Sequence, residues 1–313
     1  LRYLSRNTYA ILILAGLLLI FYFEISRESI LITGLGIILS LLGLEVGSDF
    51  FVEQSISAGT KFNLSGRVVG SVILSVGASI DELFLSLTAA FEKLGEISIG
   101  NIQGSNLFTF VVFLLLAPLA LKNSHSKFRI ETVLLVAVYL ILSVFAYTQI
   151  ASAYVGIALL SIFAIYIFAV RSGKVPKPSA EIAVFSFSWI YLFFGIFLLF
   201  LSSYELVRVV DSLAAYLNLS LFTSGFIFAG VTGSVPEIFI FASAMRKKRG
   251  EISTGVIFGS TLYKVCLVLG LSMLITTIAL KPAILTYYAM IALLAISVPV
   301  IMLSRNRDSP ALS

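Results

Sequence analysis

The chain is poor in nearly everything that a soluble domain displays on its surface. Only 12% of its 313 residues are charged, about half the share of an ordinary globular domain. A single cysteine, Cys266, excludes an intrachain disulfide. The single histidine, His125, lies in a basic loop with Lys122, Lys127 and Arg129, where a solvated role fits better than metal ligation. No Gly-rich phosphate loop with its lysine is present, so nothing points to nucleotide-driven work. Apolar residues make up 59% of the chain, with 26 Phe, 22 Gly and a mean hydropathy of +1.07. This is the composition of an integral membrane protein, with bulky side chains for lipid and glycines for close helix contacts.

A helix needs roughly 20 residues to cross the hydrocarbon. Apolar stretches of near that length fall at 8–26, 30–54, 65–91, 98–121, 129–148, 153–170, 184–210, 219–245, 252–278 and 283–304. Loop charges test this count. With ten crossings, the side holding both termini carries sixteen basic residues, among them Arg2, Arg6, Lys61, Arg67 and the run Arg246 to Arg249. The other side has Arg27, Lys93, Arg208 and Lys281. That bias predicts cytoplasmic termini, and the plasma membrane of a prokaryote is the expected location. The remaining basic residue, Lys264, falls inside a span.

The polar stretch from Arg171 to Ser179 divides the chain into halves that align at an offset of 155 residues. Glu82 then meets Glu237, Gly95-Glu96-Ile97-Ser98 meets Gly250-Glu251-Ile252-Ser253, and Gly104-Ser105 meets Gly259-Ser260. The offset spans an odd number of crossings, so equivalent segments face opposite ways, as in transporters whose binding site lies at a repeat interface near the midplane. The expected organisation is an additional helix at 1–29, a first repeat at 30–170, a cytoplasmic linker at 171–183, a second repeat of four helices at 184–304 and a cytoplasmic tail at 305–313.

Each half carries acid inside its apolar segment: Gly77-Ala78-Ser79-Ile80-Asp81-Glu82 in the first, Thr232-Gly233-Ser234-Val235-Pro236-Glu237 in the second. A charge at mid-membrane depth costs about 2.5–3.5 kcal/mol on insertion scales, so intramembrane carboxylates mark ion pathways. The small residues around them let carbonyls approach a ligand, and hard cations take such carboxylate, carbonyl and hydroxyl oxygens. The bland alternative is a helix-packing face. Ser105 and Thr109, four apart, share a helix face, as do Ser260 and Lys264. Glu45, Asp49 and Glu53 recur at the same spacing on the segment at 30–54, lining an approach path or making polar interhelical contacts. Glu205 and Asp211 lie near a span end, where solvation accounts for them.

On these motifs the chain resembles the sodium/calcium exchangers and the wider cation/calcium antiporter group. Their two signatures read Gly-Thr-Ser-x-Pro-Glu and Gly-Asn-x-x-Gly-Ser-Asn, and the second stands here as Gly100-Asn101-Ile102-Gln103-Gly104-Ser105-Asn106. The resemblance extends upstream to Gly47-Ser48-Asp49-Phe50-Phe51. It implies an all-α membrane protein of about ten helices with an inverted repeat, exchanging calcium for sodium or protons by alternating access. It further implies calcium between Glu82 and Glu237, beside the carbonyls of Ala78 and Gly233, with sodium near Ser79, Ser234, Ser105 and Ser260. A two-helix gate at 30–54 and 184–210 would slide against the core. The expected partners are inorganic cations and membrane lipids, with no organic cofactor, nucleic acid or obligatory protein partner, and ion exchange is not enzyme catalysis.

The departures from the pattern concern charge. Ala78 and Gly233 replace threonines, Asp81 replaces a proline, Thr109 occupies the central amide position, and Lys264 replaces an acid or amide. An ammonium in this place has several readings. It leaves a cluster with Asp81, Glu82 and Glu237 at minus two for a divalent ion to balance, it stands in for a coupling sodium, it takes part in proton coupling, or it pairs permanently with Asp81. The alternatives outside antiport are a cation channel or uniporter and a non-transporting membrane protein whose site Lys264 has filled.

Overall fold

The computed structural model of the chain describes residues 2–23, 30–61, 79–120, 129–148, 152–172, 186–234, 237–238, 257–278, 288, 291–292 and 295–296. The described regular structure is helical: α1 (Arg2–Phe23), α2 (Ile30–Lys61), α3 (Ile80–Phe91), α4 (Gly95–Ala120), α5 (Arg129–Thr148), α6 (Ser152–Ser172), α7 (Trp189–Tyr216), α8 (Leu221–Val231) and α9 (Ile257–Ile275). Four segments among the described residues are long and apolar enough by themselves to cross a bilayer: Thr33–Ser55, Gly95–Leu116, Trp189–Tyr216 and Ile257–Ile275. α1, α5 and α6 are helices of 22, 20 and 21 residues that lie on further expected spans. The expected tenth span and the segment before Ser79, Gly77 and Ala78 included, lie wholly or mostly outside the described residues.

The outward faces are apolar. Ile190, Phe168 and Leu115 are each at least 74% exposed, which suits lipid contact and no aqueous surface. Inside, Ile99, Ile102, Phe110 and Phe113 of α4 pack with residues of α5, α6 and α9 in the largest apolar cluster. A smaller cluster joins Ala10, Ile13 and Leu17 of α1 to Val46 and Phe50 of α2 and Leu198 and Leu201 of α7. Helix α1 therefore rests on the α2–α7 pair.

Glycines set how closely the elements approach. Gly36 faces Val209, Gly43 faces Ser202, and Gly47 faces Leu199 and Gly195. Numbers rise along α2 as they fall along α7, so these two helices run antiparallel. On α4, a Cβ at Gly100 would strike the backbone of Phe222 and Phe226, and one at Gly104 would strike Phe226. Reciprocally, Gly225 abuts Ile97, and Gly230 abuts Asn101, Gly104 and Ser105. Small residues four apart allow such backbone contact, and it brings the second half against Ser105.

The contacting part of α8 is widened. After one α-turn capped by Ser220, whose hydroxyl accepts from the Thr223 amide at 3.1 Å, Gly225–Val231 is π-helical. Tyr263–Val268 in α9 is π-helical too. Such widened turns are rare and concentrate at functional sites. The turn after α3 closes with Lys93 at φ 62° and its neighbour Leu94 donating to the Ala89 carbonyl at 2.8 Å, a left-handed helix end that folds α4 back along α3.

Gly104→Val should lower stability by about 1–3 kcal/mol or more, since backbone cannot yield as a side chain does. The thermal midpoint of the detergent-solubilised protein, compared with a Val substitution at Gly34, where a Cβ meets nothing within 4 Å, checks this.

Candidate functional site

The two acidic motifs adopt the same local turn. The Leu83 amide donates to the Ser79 carbonyl at 3.3 Å, and the Ile238 amide donates to the Ser234 carbonyl at 3.2 Å. These pairs are related by the sequence offset, so each glutamate sits in the first turn begun by its motif serine. Ser79 stands at the N-cap of α3, yet its hydroxyl caps nothing. It donates instead to Glu237 Oε1 at 2.8 Å.

Lys264 joins the two carboxylates. Its Nζ is 2.7 Å from Glu237 Oε2, 2.8 Å from Ser105 Oγ and 3.8 Å from Glu82 Oε1. The ammonium has three donors, and three oxygens drawn from both halves surround it. Ser105 in turn donates to Glu82 Oε1 at 3.2 Å, and Thr109 donates to Glu237 Oε2 at 3.2 Å. Lys264 is fully buried, and Glu82 and Glu237 are at most 2% exposed.

The pairing of Lys264 with Asp81, one of the readings open from sequence, is not the arrangement found. Asp81 is only partly buried and lies against the carboxyl of Glu82. Glu82 Oε2 is buried with no donor among the described residues, and the Asp81 carboxyl can serve as one only when it holds a proton. The Tyr263 phenol, beside Lys264 in the chain, is buried with no hydrogen-bond partner among the described residues and lies within electrostatic reach of both acids.

The hydroxyls of the two halves behave differently. Ser79, Ser105 and Thr109 reach the carboxylates. Ser234 donates to Val231 in its own helix at 2.7 Å, and Ser260 donates to Ile257 at 3.2 Å. These two expected ligands are therefore turned back on backbone carbonyls, and Lys264 fills the space toward the carboxylates. Gly233 is half-buried, and no atom of the described residues lies within 4 Å of its Cβ position, whereas Ala78 lies outside the described residues.

Other expectations move further. Glu45 and Asp49 are exposed and Glu53 half-buried, so this face of α2 is on the outside of the described helices. Glu205, expected to be solvated, is 1% exposed, and its Oε1 has no hydrogen-bond partner among the described residues. The physical reason is packing: this part of α7 is covered by α2 and α3, and its neighbours Leu206 and Val207 cluster with Leu44 and Leu85.

Several buried polar contacts were missed. Asn101 donates to Ser86 at 3.1 Å, and Ser272 donates to the Ser86 carbonyl at 3.3 Å, tying α4 and α9 to α3. Thr88 and Ser203 bond at 3.0 Å between α3 and α7. Asn106 donates to the Tyr139 hydroxyl at 3.2 Å, so Tyr139 anchors the signature helix. The available signal was helical spacing: Ser86 follows Glu82 by four, as Ser105 follows Asn101.

Removing one partner of a buried ion pair leaves an uncompensated charge, which costs about 3–5 kcal/mol. Lys264→Met should therefore lower the thermal midpoint strongly in detergent. The double variant Lys264→Met with Glu237→Gln should recover part of the loss, and equal midpoints for the single and double variants would count against the pairing.

With this geometry described, comparison with known proteins supplies the kinship. Residues 32–171 and 187–309 match the model of the sodium/calcium exchanger protein family. The chain is 26% identical over 261 residues to the putative antiporter CaxA of Alkalimonas amylolytica, covering 78% of this chain and 81% of that protein. Its fold is similar to the crystal structure of the H+/Ca2+ exchanger CAX, with a TM-score of 0.72 and 14% identity, covering 98% of this chain and 89% of that one. It is also similar to the sodium-calcium exchanger NCX_Mj, with a TM-score of 0.53 and 24% identity, covering 87% and 90%. The two matched halves together span most of the sequence, and the chain belongs to the sodium/calcium exchanger family.

Proposed function

We propose that the chain exchanges calcium for sodium or protons, with Glu82 and Glu237 as the ligands that hold the divalent ion. Its family makes it a secondary-active, multi-pass membrane transporter of cations that works by alternating access. The observation that carries the ligand assignment is that carboxylates from both halves lie within 4 Å of one atom, Lys264 Nζ, with hydroxyls of Ser79, Ser105 and Thr109 hydrogen-bonded to the same two carboxylates. A hard cation takes such an oxygen set. The repeated halves meeting at this site favour alternating access over a channel.

The proposed architecture is ten helices in two inverted repeats, 30–170 and 184–304, with 1–29 as an additional helix, 171–183 and 305–313 as cytoplasmic linker and tail, and both termini in the cytoplasm. The antiparallel course of α2 and α7 supports the inversion, because these are the members expected at equivalent positions. The matched turns at Ser79 and Ser234 support the duplication. In this reading Ser234, Ser260 and the carbonyls of Ala78 and Gly233 join the ion when Lys264 gives way, Asp81 and Lys264 set the charge, and α2 and α7 form the gate. Glu45, Asp49 and Glu53 border the gate's outer face.

The test is calcium flux into proteoliposomes holding a calcium indicator, with sodium and pH gradients imposed separately. Flux should follow one gradient, and flux indifferent to both would reject exchange. Glu82→Gln and Glu237→Gln should each reduce the rate by about a hundredfold or more, as expected for removing a charged ligand. The serines give a finer comparison. Ser79→Ala removes a hydrogen bond to a buried carboxylate, worth about 1.5–3 kcal/mol, and should change calcium affinity about tenfold or more. Ser234→Ala, whose hydroxyl must first leave the Val231 carbonyl to reach the ion, should lower the affinity by a smaller factor than Ser79→Ala does.

A further inference from the structure

We infer that the Lys264 ammonium is a tethered coupling cation: it occupies one cation position of the site through the empty stage of the cycle and reduces by one the monovalent ions exchanged per calcium. This rests on the exchange reading given above.

The argument is geometric. Nζ does not sit at the margin of the cluster but inside an oxygen cage: Glu237 Oε2 at 2.7 Å, Ser105 Oγ at 2.8 Å and Glu82 Oε1 at 3.8 Å. Those oxygens come from both halves, as the ligands of a shared cation would. The ammonium is also fully buried, and its backbone lies in the π-helical stretch Tyr263–Val268 rather than at a helix end, so it has no route by which to snorkel to water. Its stem descends from α9 on the second-half side, where Ser234 and Ser260 have turned away from the carboxylates. The first-half hydroxyls still point inward.

A divalent ion arriving between Glu82 and Glu237 must take oxygens that Lys264 holds. The ammonium then withdraws, still attached to its helix, and returns when the ion leaves. A mobile ion that did the same would be counted in the exchange stoichiometry. A tethered one is not, because it never leaves the protein.

The experiment is a null-point titration in proteoliposomes. A calcium gradient is opposed by graded sodium gradients at equal pH, then by graded pH gradients at equal sodium, with the membrane voltage held fixed. The gradient at which net calcium flux vanishes gives the number of monovalent ions per calcium, and this number does not depend on how much of the protein is active. Lys264→Gln should raise it by one relative to the parent chain. At a tenfold gradient of the driving ion, that shifts the balanced calcium ratio about tenfold. Lys264→Arg, which keeps a fixed positive charge, should leave the number unchanged.

The same number in the parent and in Lys264→Gln overturns the proposal. If Lys264→Gln transports nothing, retained transport with the parental number in Lys264→Arg supports a required tethered cation, and silence of both variants as folded proteins makes the lysine a structural partner and overturns it. Absence of any gradient-driven calcium flux in the parent chain rejects the exchange reading itself, an outcome distinct from these.

Discussion

Two carboxylates that water does not reach have to be balanced by charge, and in this chain one ammonium does most of the balancing. Glu82 and Glu237 are separated by 155 positions in sequence and belong to different halves, yet both lie against Lys264 Nζ. The surrounding architecture serves that meeting. The bare-backbone crossing of α4 and α8 brings Ser105 to the second half, and the short left-handed turn at Lys93 returns α4 alongside Glu82. The Asn101–Ser86 and Asn106–Tyr139 hydrogen bonds then fix the rotation of α4 about its axis. In an apolar medium, where unpaired polar groups are costly, these bonds are orientation devices as much as sources of stability.

Much of this was legible because membrane sequences obey strict rules. The span expected at 129–148 coincides with α5, since Arg129 and the polar residues around it bound an uninterrupted apolar run. The span expected at 30–54 has α2 running beyond it to Lys61, because a helix need not stop where hydrophobicity does. The acids at the site were readable from their cost, and the pairing of Ser105 with Thr109 from helical spacing. What spacing cannot convey is the rotamer. Ser234 and Ser260 occupy the right positions, and a single χ1 choice turns each hydroxyl to its own backbone. Glu205 was misjudged for a related reason: burial depends on what packs alongside, and the close antiparallel pairing of α2 with α7 is not written at residue 205.

The two halves have diverged in a coherent direction. Both lack the motif threonine, at Ala78 and Gly233. The first has three inward hydroxyls and an extra acid at Asp81, whereas the second turns two serines back on its own backbone and supplies the cation. Each change taken alone would unbalance the cluster. An additional carboxylate calls for positive charge, and an ammonium in an oxygen cage calls for carboxylates. Asp81 and Lys264 thus read as complementary departures, although Asp81 acts through Glu82 rather than by direct contact with the lysine.

The inward Ser79 and the withdrawn Ser234 also make the two halves of the site chemically unequal. In the proposed cycle an ion would part from hydroxyls on the first half and be displaced by an ammonium on the second. Equal barriers in the two directions would be a coincidence. Such a carrier behaves as a kinetic rectifier: the balance point is fixed by the gradients alone, but the speed of approach to it differs according to the side from which the ion sets out.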